Sequence, residues 1–111
     1  MALLTTLTSS TTSAQSLAPV TPESGGDAFV NDGRILLYIK NTNASTRTVT
    51  IVSAGVILGA LSIGDVVFTV AQNEEKIVGP FPPRYFNNDS GLVSIGYSGV
   101  TDLKVRTVRM L

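Results

Sequence analysis

The chain has 111 residues, eight basic and eight acidic, so its formal charge at neutral pH is zero, and it contains neither cysteine nor histidine. That length suits one domain able to bury about two thirds of its unfolded surface. The missing residue types exclude disulfides, Ser-His-Asp and Cys-His catalysis within one chain, and the usual zinc and transition-metal ligand sets, leaving only oxygen-ligated metals open.

Charged residues make up 14% of the chain, against ~25% in an ordinary globular domain. A surface this lean in charge is poor for a free monomer and reads as partly covered by partners. It also lacks the basic patch that nucleic-acid binding needs. Residues 1–6 have no basic segment and no sustained apolar run of the signal-peptide kind. The longest apolar stretch, 54–63, is about half of a bilayer crossing, so its Gly55-x-x-x-Gly59 pattern reads as a buried strand or loop and not as a membrane dimer seam. The expectation is a soluble, non-secreted chain with no nucleic-acid or membrane partner.

Residues 1–26 are dominated by Ser and Thr and end in Ala18-Pro19-Val20-Thr21-Pro22-Glu23-Ser24-Gly25-Gly26. So little apolar area does not offset the entropy of ordering the segment alone. Two readings follow: a disordered tail, or an extended arm that orders on a neighbouring subunit with Leu3, Leu4, Leu7 and Leu17 as anchors.

From Asp27 the pattern turns to β. Asn31-Asp32-Gly33 marks a turn. Residues 34–40 form an apolar run capped by charges, suited to a strand buried on both faces or at an interface. After the polar loop 41–46, residues 47–52 alternate, with Val49 and Ile51 inward and Thr48 and Thr50 outward. The two runs read as a hairpin.

Residues 54–65, interrupted by Gly55, Gly59 and Gly64, read as a loop with one short strand around 56–58. Strands are expected at 66–70, 76–78, 92–97 and 103–109, the last with Lys104 and Arg106 on one face and Leu103 and Val105 on the other. Between the second and third of these lies Gly79-Pro80-Phe81-Pro82-Pro83, then Arg84-Tyr85-Phe86. The prolines remove three backbone donors and bias Gly79, Phe81 and Pro82 toward extended conformations, so the segment reads as a stiff, non-helical connector. Its aromatic cluster is the densest in the chain and suits an anchor, in the core or against a neighbour. Pro80, Phe81, Pro82, Pro83, Tyr85 and Phe86 are therefore candidate contact residues. Seven or so short strands with Gly/Asn/Asp turns and no helical period predict an all-β fold, an antiparallel sandwich or jelly-roll-like body over 27–111 with an extended amino-terminal arm over 1–26.

Chemical motifs are thin. Asn31-Asp32 and Asn88-Asp89-Ser90 offer oxygen ligands for calcium but are what tight turns demand. Glu74 and Glu75 are chain neighbours whose side chains point apart. Asn43-Ala44-Ser45 and Asn88-Asp89-Ser90 match glycosylation sequons, which carry no weight without secretion. Pro80-x-x-Pro83 fits an SH3-ligand pattern, against a structural connector. Arg84, Lys104, Arg106 and Arg109 either converge on an acidic partner or are ordinary strand-face charges. With no nucleophile–base pair, phosphate loop or metal cluster, the chain reads as a structural or binding module without a cofactor, not an enzyme.

The order of Asn31-Asp32-Gly33-Arg34, Tyr38-Ile39-Lys40-Asn41, Thr48-Val49-Thr50-Ile51, Ile77-Val78-Gly79-Pro80-Phe81-Pro82, the loop from Tyr85-Phe86-Asn87 to Gly91, Val93-Ser94-Ile95-Gly96-Tyr97-Ser98 and the closing 103–111 strand resembles a set of small phage virion proteins. The likeness covers roughly residues 27–111. It implies a tailed-phage head decoration, or cement, protein on the virion surface, made in the host cytoplasm. Such a protein clamps neighbouring major capsid subunits, commonly as a homotrimer, through a β-rich body and a terminal arm. Two alternatives are another phage structural role, at the head–tail joint or in the tail, and a carbohydrate-binding β-sandwich.

Overall fold

The computed structural model describes residues 2–10, 12–53, 56–57, 61–62 and 64–110. In chain order its strands are β1 (Ala2–Leu3), β2 (Thr6–Thr8), β3 (Asp27–Val30), β4 (Ile35–Asn41), β5 (Arg47–Ile51), β6 (Val56–Ile57), β7 (Leu61–Ser62), β8 (Val66–Val70), β9 (Glu74–Val78), β10 (Leu92–Tyr97) and β11 (Leu103–Arg109). A single helical turn, α1 (Pro83–Phe86), sits between β9 and β10.

Two-residue alternation decides the layers. Ile35, Leu37, Ile39 and Asn41 of β4 are buried and the residues between them half-buried; in β5, Val49 and Ile51 are buried while Thr48 and Thr50 are only partly covered. Each strand thus has one face that must meet another sheet. The result is an all-β sandwich. The first sheet has the order β1-β3-β10-β5-β8 and the second β2-β11-β4-β9, while β6 and β7 pair as a small hairpin between β5 and β8. Among the described residues, pairing within the body is antiparallel, and only the two arm strands, β1 on β3 and β2 on β11, run parallel to their neighbours. Phe29, Leu37, Ile39, Val49, Ile51, Val70, Val93, Ile95, Leu103 and Val105 fill the space between the sheets.

The strands expected at 66–70, 92–97 and 103–109 are found with those bounds, and β11 has the expected two faces. The expected hairpin of residues 34–40 with 47–52 is not found. β4 pairs with β11 and β9 in the second sheet, whereas β5 pairs with β10 and β8 in the first. The loop 42–46 therefore crosses from one sheet to the other. Asn41 makes the crossing: its buried Nδ2 donates to the carbonyls of Ser45 and Val70, both at 2.9 Å, and its Oδ1 accepts from the Asn43 N–H at 2.9 Å. The apolar run of β4 is buried on one face and half-buried on the other, not on both. The segment after β5 carries two short strands, not one; Leu58, Gly55 and Gly59 lie outside the described residues.

The arm is laid on the chain's own body. β1 extends the β3 edge of the first sheet, Leu4 packs against the core as the chain crosses over, and β2 extends the β11 edge of the second. The Thr6 and Thr107 hydroxyls are 2.9 Å apart, and Val20 returns to pair with Val105. The arm so covers the side of the sandwich where two strand edges would otherwise be bare.

Candidate interaction surface

The proline-rich connector is an internal anchor. Phe81 is buried, with its ring centroid 5.7 Å from Phe29 and 5.6 Å, edge-on, from Phe86, which is also buried. Such pairs add to the apolar burial of each ring. Phe81 and Phe86 are therefore corrected from candidate contacts to core residues. The non-helical reading of the segment is also corrected, because Pro83 opens α1. Proline is tolerated at the first helical position, where its missing N–H has no partner to lose. Pro80, Pro82 and Pro83 are exposed, and Gly79–Pro80 is a cis peptide. Tyr85 is half-buried against the core, with the Arg84 guanidinium 5.4 Å from its ring centroid.

A buried asparagine ties this connector to the Asn31-Asp32-Gly33 turn. Asn31 Nδ2 donates to the Phe81 carbonyl at 2.9 Å and to Asn87 Oδ1 at 2.7 Å, while its Oδ1 accepts from the Gly33 N–H at 3.0 Å. Asn87 Nδ2 donates back to the Asn31 carbonyl at 3.0 Å. Turn residues at 31–33, 79–83 and 87–91, far apart in sequence, so meet at one end of the sandwich. Their side chains are occupied in holding loops together, which is what the turn reading of Asn31, Asp32 and Asn88 requires: Asp32 Oδ1 accepts from the Arg34 N–H and Asn88 Oδ1 from the Ser90 and Leu92 N–H groups.

The four basic candidates do not converge. Arg109 pairs with Asp32 and, chiefly through that hydrogen bond, holds its carboxyl below the usual range. Lys104 Nζ donates to Thr21 Oγ1, Arg84 lies at the connector, and Arg106 stands on the outer face of the second sheet beside Tyr38. Tyr38, Tyr85 and Tyr97 occupy three separate places and form no shared stacking platform. Tyr97 is turned inward, its hydroxyl donating to the buried Asp27 carboxylate at 2.8 Å; burial first, and then that carboxylate, push its ionisation well above the ordinary tyrosine range. Among the described residues there is no group of three or more acidic side chains placed to hold a metal, and no helix is long and apolar enough to cross a membrane.

Of the arm anchors, Leu3 is exposed, Leu4 is packed on the core, and Leu7 and Leu17 are half-buried around a shallow hollow beside Val108. Leu3 belongs to a surface that the hydrophobic pattern alone did not single out. The outward positions of the first sheet are Leu3 of β1, Ala28 and Val30 of β3, Leu92, Ser94 and Gly96 of β10, Thr48 and Thr50 of β5 with Val52 just beyond it, and Val67 and Thr69 of β8. None is charged. Leu3 is 61% exposed, Val30 59%, Val67 60% and Val52 40%. The outward face of the second sheet differs: Lys40, Glu75, Lys104 and Arg106 lie on it, with Lys40 and Glu75 paired at 3.3 Å.

No protein-family model, curated protein or solved structure matches the chain.

Proposed function

We propose that the chain is a structural virion protein of the capsid-cement class, which binds the outside of a phage head as a homo-oligomer and bridges neighbouring major capsid subunits. The order of motifs over residues 27–111 is what points to this class. The structural observation that supports docking over chemistry is the outer face of the first sheet, whose strands carry no charge there and four exposed large apolar side chains. Such a face, with apolar side chains at both sides of a nearly uncharged middle, suits contact with another surface.

The mechanism is burial across joints between shell subunits. Each apolar Å² removed from water is worth roughly 25 cal/mol before the costs of association. Repetition around the shell converts modest contacts into avidity. The body suits such work because its loops are pinned by buried asparagines and its connector by stacked rings, so little is left to order on docking.

Quantitative mass spectrometry of gradient-purified particles tests the reading. The expected result is the chain in a fixed ratio to the shell subunit, and a rise in the shell's thermal transition when purified protein is added to stripped heads. A few copies per particle would indicate a head–tail or tail role, and absence from particles would remove the virion reading altogether.

A further inference from the structure

We propose that the amino-terminal arm is exchanged between copies of this chain, β1 and β2 of one copy seating on β3 and β11 of another. The inference stands on the fold alone, and it assigns the contact that holds together the homo-oligomer proposed above.

The seat and its occupant are both visible. β1 lies on β3 with Ala2 beside Asp27 and Leu3 beside Ala28. β2 lies on β11 with Thr6 beside Thr107, and Leu4 packs on the core between the two. An arm from a second copy meets the same two edges, the same Thr107 hydroxyl and the same core. Exchange therefore keeps every one of these contacts, which is what makes it a low-cost route to association. The occupant is selected by the same fact: the seat fits the segment already in it, and a second copy carries that segment.

The linker decides how far the arm can travel. Ten residues, 10–19, join the arm to Val20. The Ser9 N–H donates to the Arg109 carbonyl, and Val20 exchanges two backbone bonds with Val105. In the closed chain the linker thus spans only four residues of β11, about 13 Å. Extended, ten residues reach roughly 33–36 Å, more than the 20 Å thickness of the body. That excess lets the arm cross to an adjacent copy. Thr12 to Ser16 and Ala18 are exposed, and the hydrogen bonds of Ser10, Thr12 and Ser13 stay within the linker, so straightening it breaks few contacts.

The closed turn is also strained. To bring Val20 back beside Val105 the chain bends at Ala18, whose φ is +41°. A left-handed backbone crowds the Cβ of alanine, and a residue before proline, as Ala18 is before Pro19, favours an extended backbone. Straightening the linker relieves both, and hinges under strain invite exchange. The relief amounts to roughly tenfold at each hinge. A tethered arm competes with a neighbour's at an effective concentration of about 1 mM. Two relieved hinges lower that threshold to the order of 10 µM, which copies held side by side exceed.

Two single-cysteine chains give the test, Thr6→Cys and Thr107→Cys. The parent has no cysteine, and the two side chains meet wherever an arm is seated, their hydroxyls being 2.9 Å apart. The chains are mixed in a glutathione redox buffer at roughly 0.5 mM, close to the effective concentration of a tethered arm. The expected result is a disulfide joining one chain to the other, in at least tenfold excess over the self-disulfides of either variant. Only an arm seated on another copy can make it. Adding Ala18→Gly to both chains keeps the left-handed turn without its strain, so the yield is expected to fall about tenfold or more. The thermal midpoint of Ala18→Gly in dilute solution is expected to be equal or higher, which separates loss of exchange from loss of fold. If Thr107→Cys, at a buried position, misfolds, Leu7→Cys with Val108→Cys replaces the pair, these being half-buried register partners on the same two strands. A mixed disulfide no more abundant than the self-disulfides, or one indifferent to Ala18→Gly, overturns the proposal. Exchange that behaves as expected while the chain is absent from virions leaves the inference standing and removes the cement reading. A chain fixed on virions that forms no mixed disulfide does the reverse.

Discussion

Asn31 carries three hydrogen bonds from inside the protein, and their loss can be expressed as an energy. Asn31→Ala leaves the Phe81 carbonyl, Asn87 Oδ1 and the Gly33 N–H without this partner. Stranding buried polar groups costs about 1–3 kcal/mol each, less where a neighbour or water takes over, so a total loss of about 2–3 kcal/mol is expected in urea denaturation. Gly79 is constrained differently. Its φ is +122°, and an added Cβ would lie 2.8 Å from the Ile35 carbonyl oxygen and 3.1 Å from the Phe81 ring. Gly79→Ala is expected to destabilise by about 2 kcal/mol or more, since both backbone and space oppose it. Tyr97 supplies a pH signature. Because its folded ionisation lies above its unfolded value, the folded state keeps a proton that the unfolded chain releases. Its contribution is thus fully present below the unfolded value of about 10 and declines by up to about 1.4 kcal/mol per pH unit above it. Tyr97→Phe removes the hydrogen bond to Asp27, so it is expected to be less stable than the parent at neutral pH and to close that gap above about pH 10. A gap that stays constant to alkaline pH would show that the hydroxyl is not the source.

At the scale of elements, strands were legible and their partners were not. Val66–Val70, Leu92–Tyr97 and Leu103–Arg109 follow the two-residue period closely enough to be bounded by inspection. A strand's period says which residues face inward but not which sheet receives it. The loop 42–46 is compatible with a hairpin or with a crossing, and the difference lies in where Asn41 finds its acceptors, one of them in β8. The connector shows the same limit. Its prolines correctly mark the end of β9 but do not forbid a helical turn that begins on proline. Composition was least informative for the arm, because a Ser/Thr segment that cannot order alone can still order on edges the body provides. Removing residues 1–9 strips β1, β2 and Leu4 from those edges. A fall in stability of about 2–4 kcal/mol is expected from lost strand pairing and apolar burial, measurable as a lower thermal midpoint. An unchanged midpoint would mean that the arm adds nothing to its own body.

Across the whole molecule, composition raises the expectation of a covered surface but does not say where it lies. Low charge and frequent turns already pointed to a neutral β body that is poorly suited to solitude. The uncharged face becomes visible only when the register is known, because its members come from five strands separated by as many as 93 positions, and each is unremarkable alone: three threonines, a serine, a glycine. The eight acidic and eight basic residues are distributed so that the strands of one sheet bear none on their outward positions, with Asp65 alone at the end of β8. Association through such a face must therefore differ from association through ion pairs. Screening shortens the reach of exposed charges from about 14 Å near 0.05 M salt to about 4 Å near 0.5 M, which weakens charge-driven contacts and leaves apolar ones untouched. Ammonium sulfate, excluded from protein surface, strengthens apolar burial instead. Attachment to stripped heads, measured by cosedimentation, is thus expected to stay constant across that range of sodium chloride and to tighten in sulfate. A tenfold weakening in sodium chloride would place the contact on the charged second sheet, around Lys40, Glu75, Lys104 and Arg106.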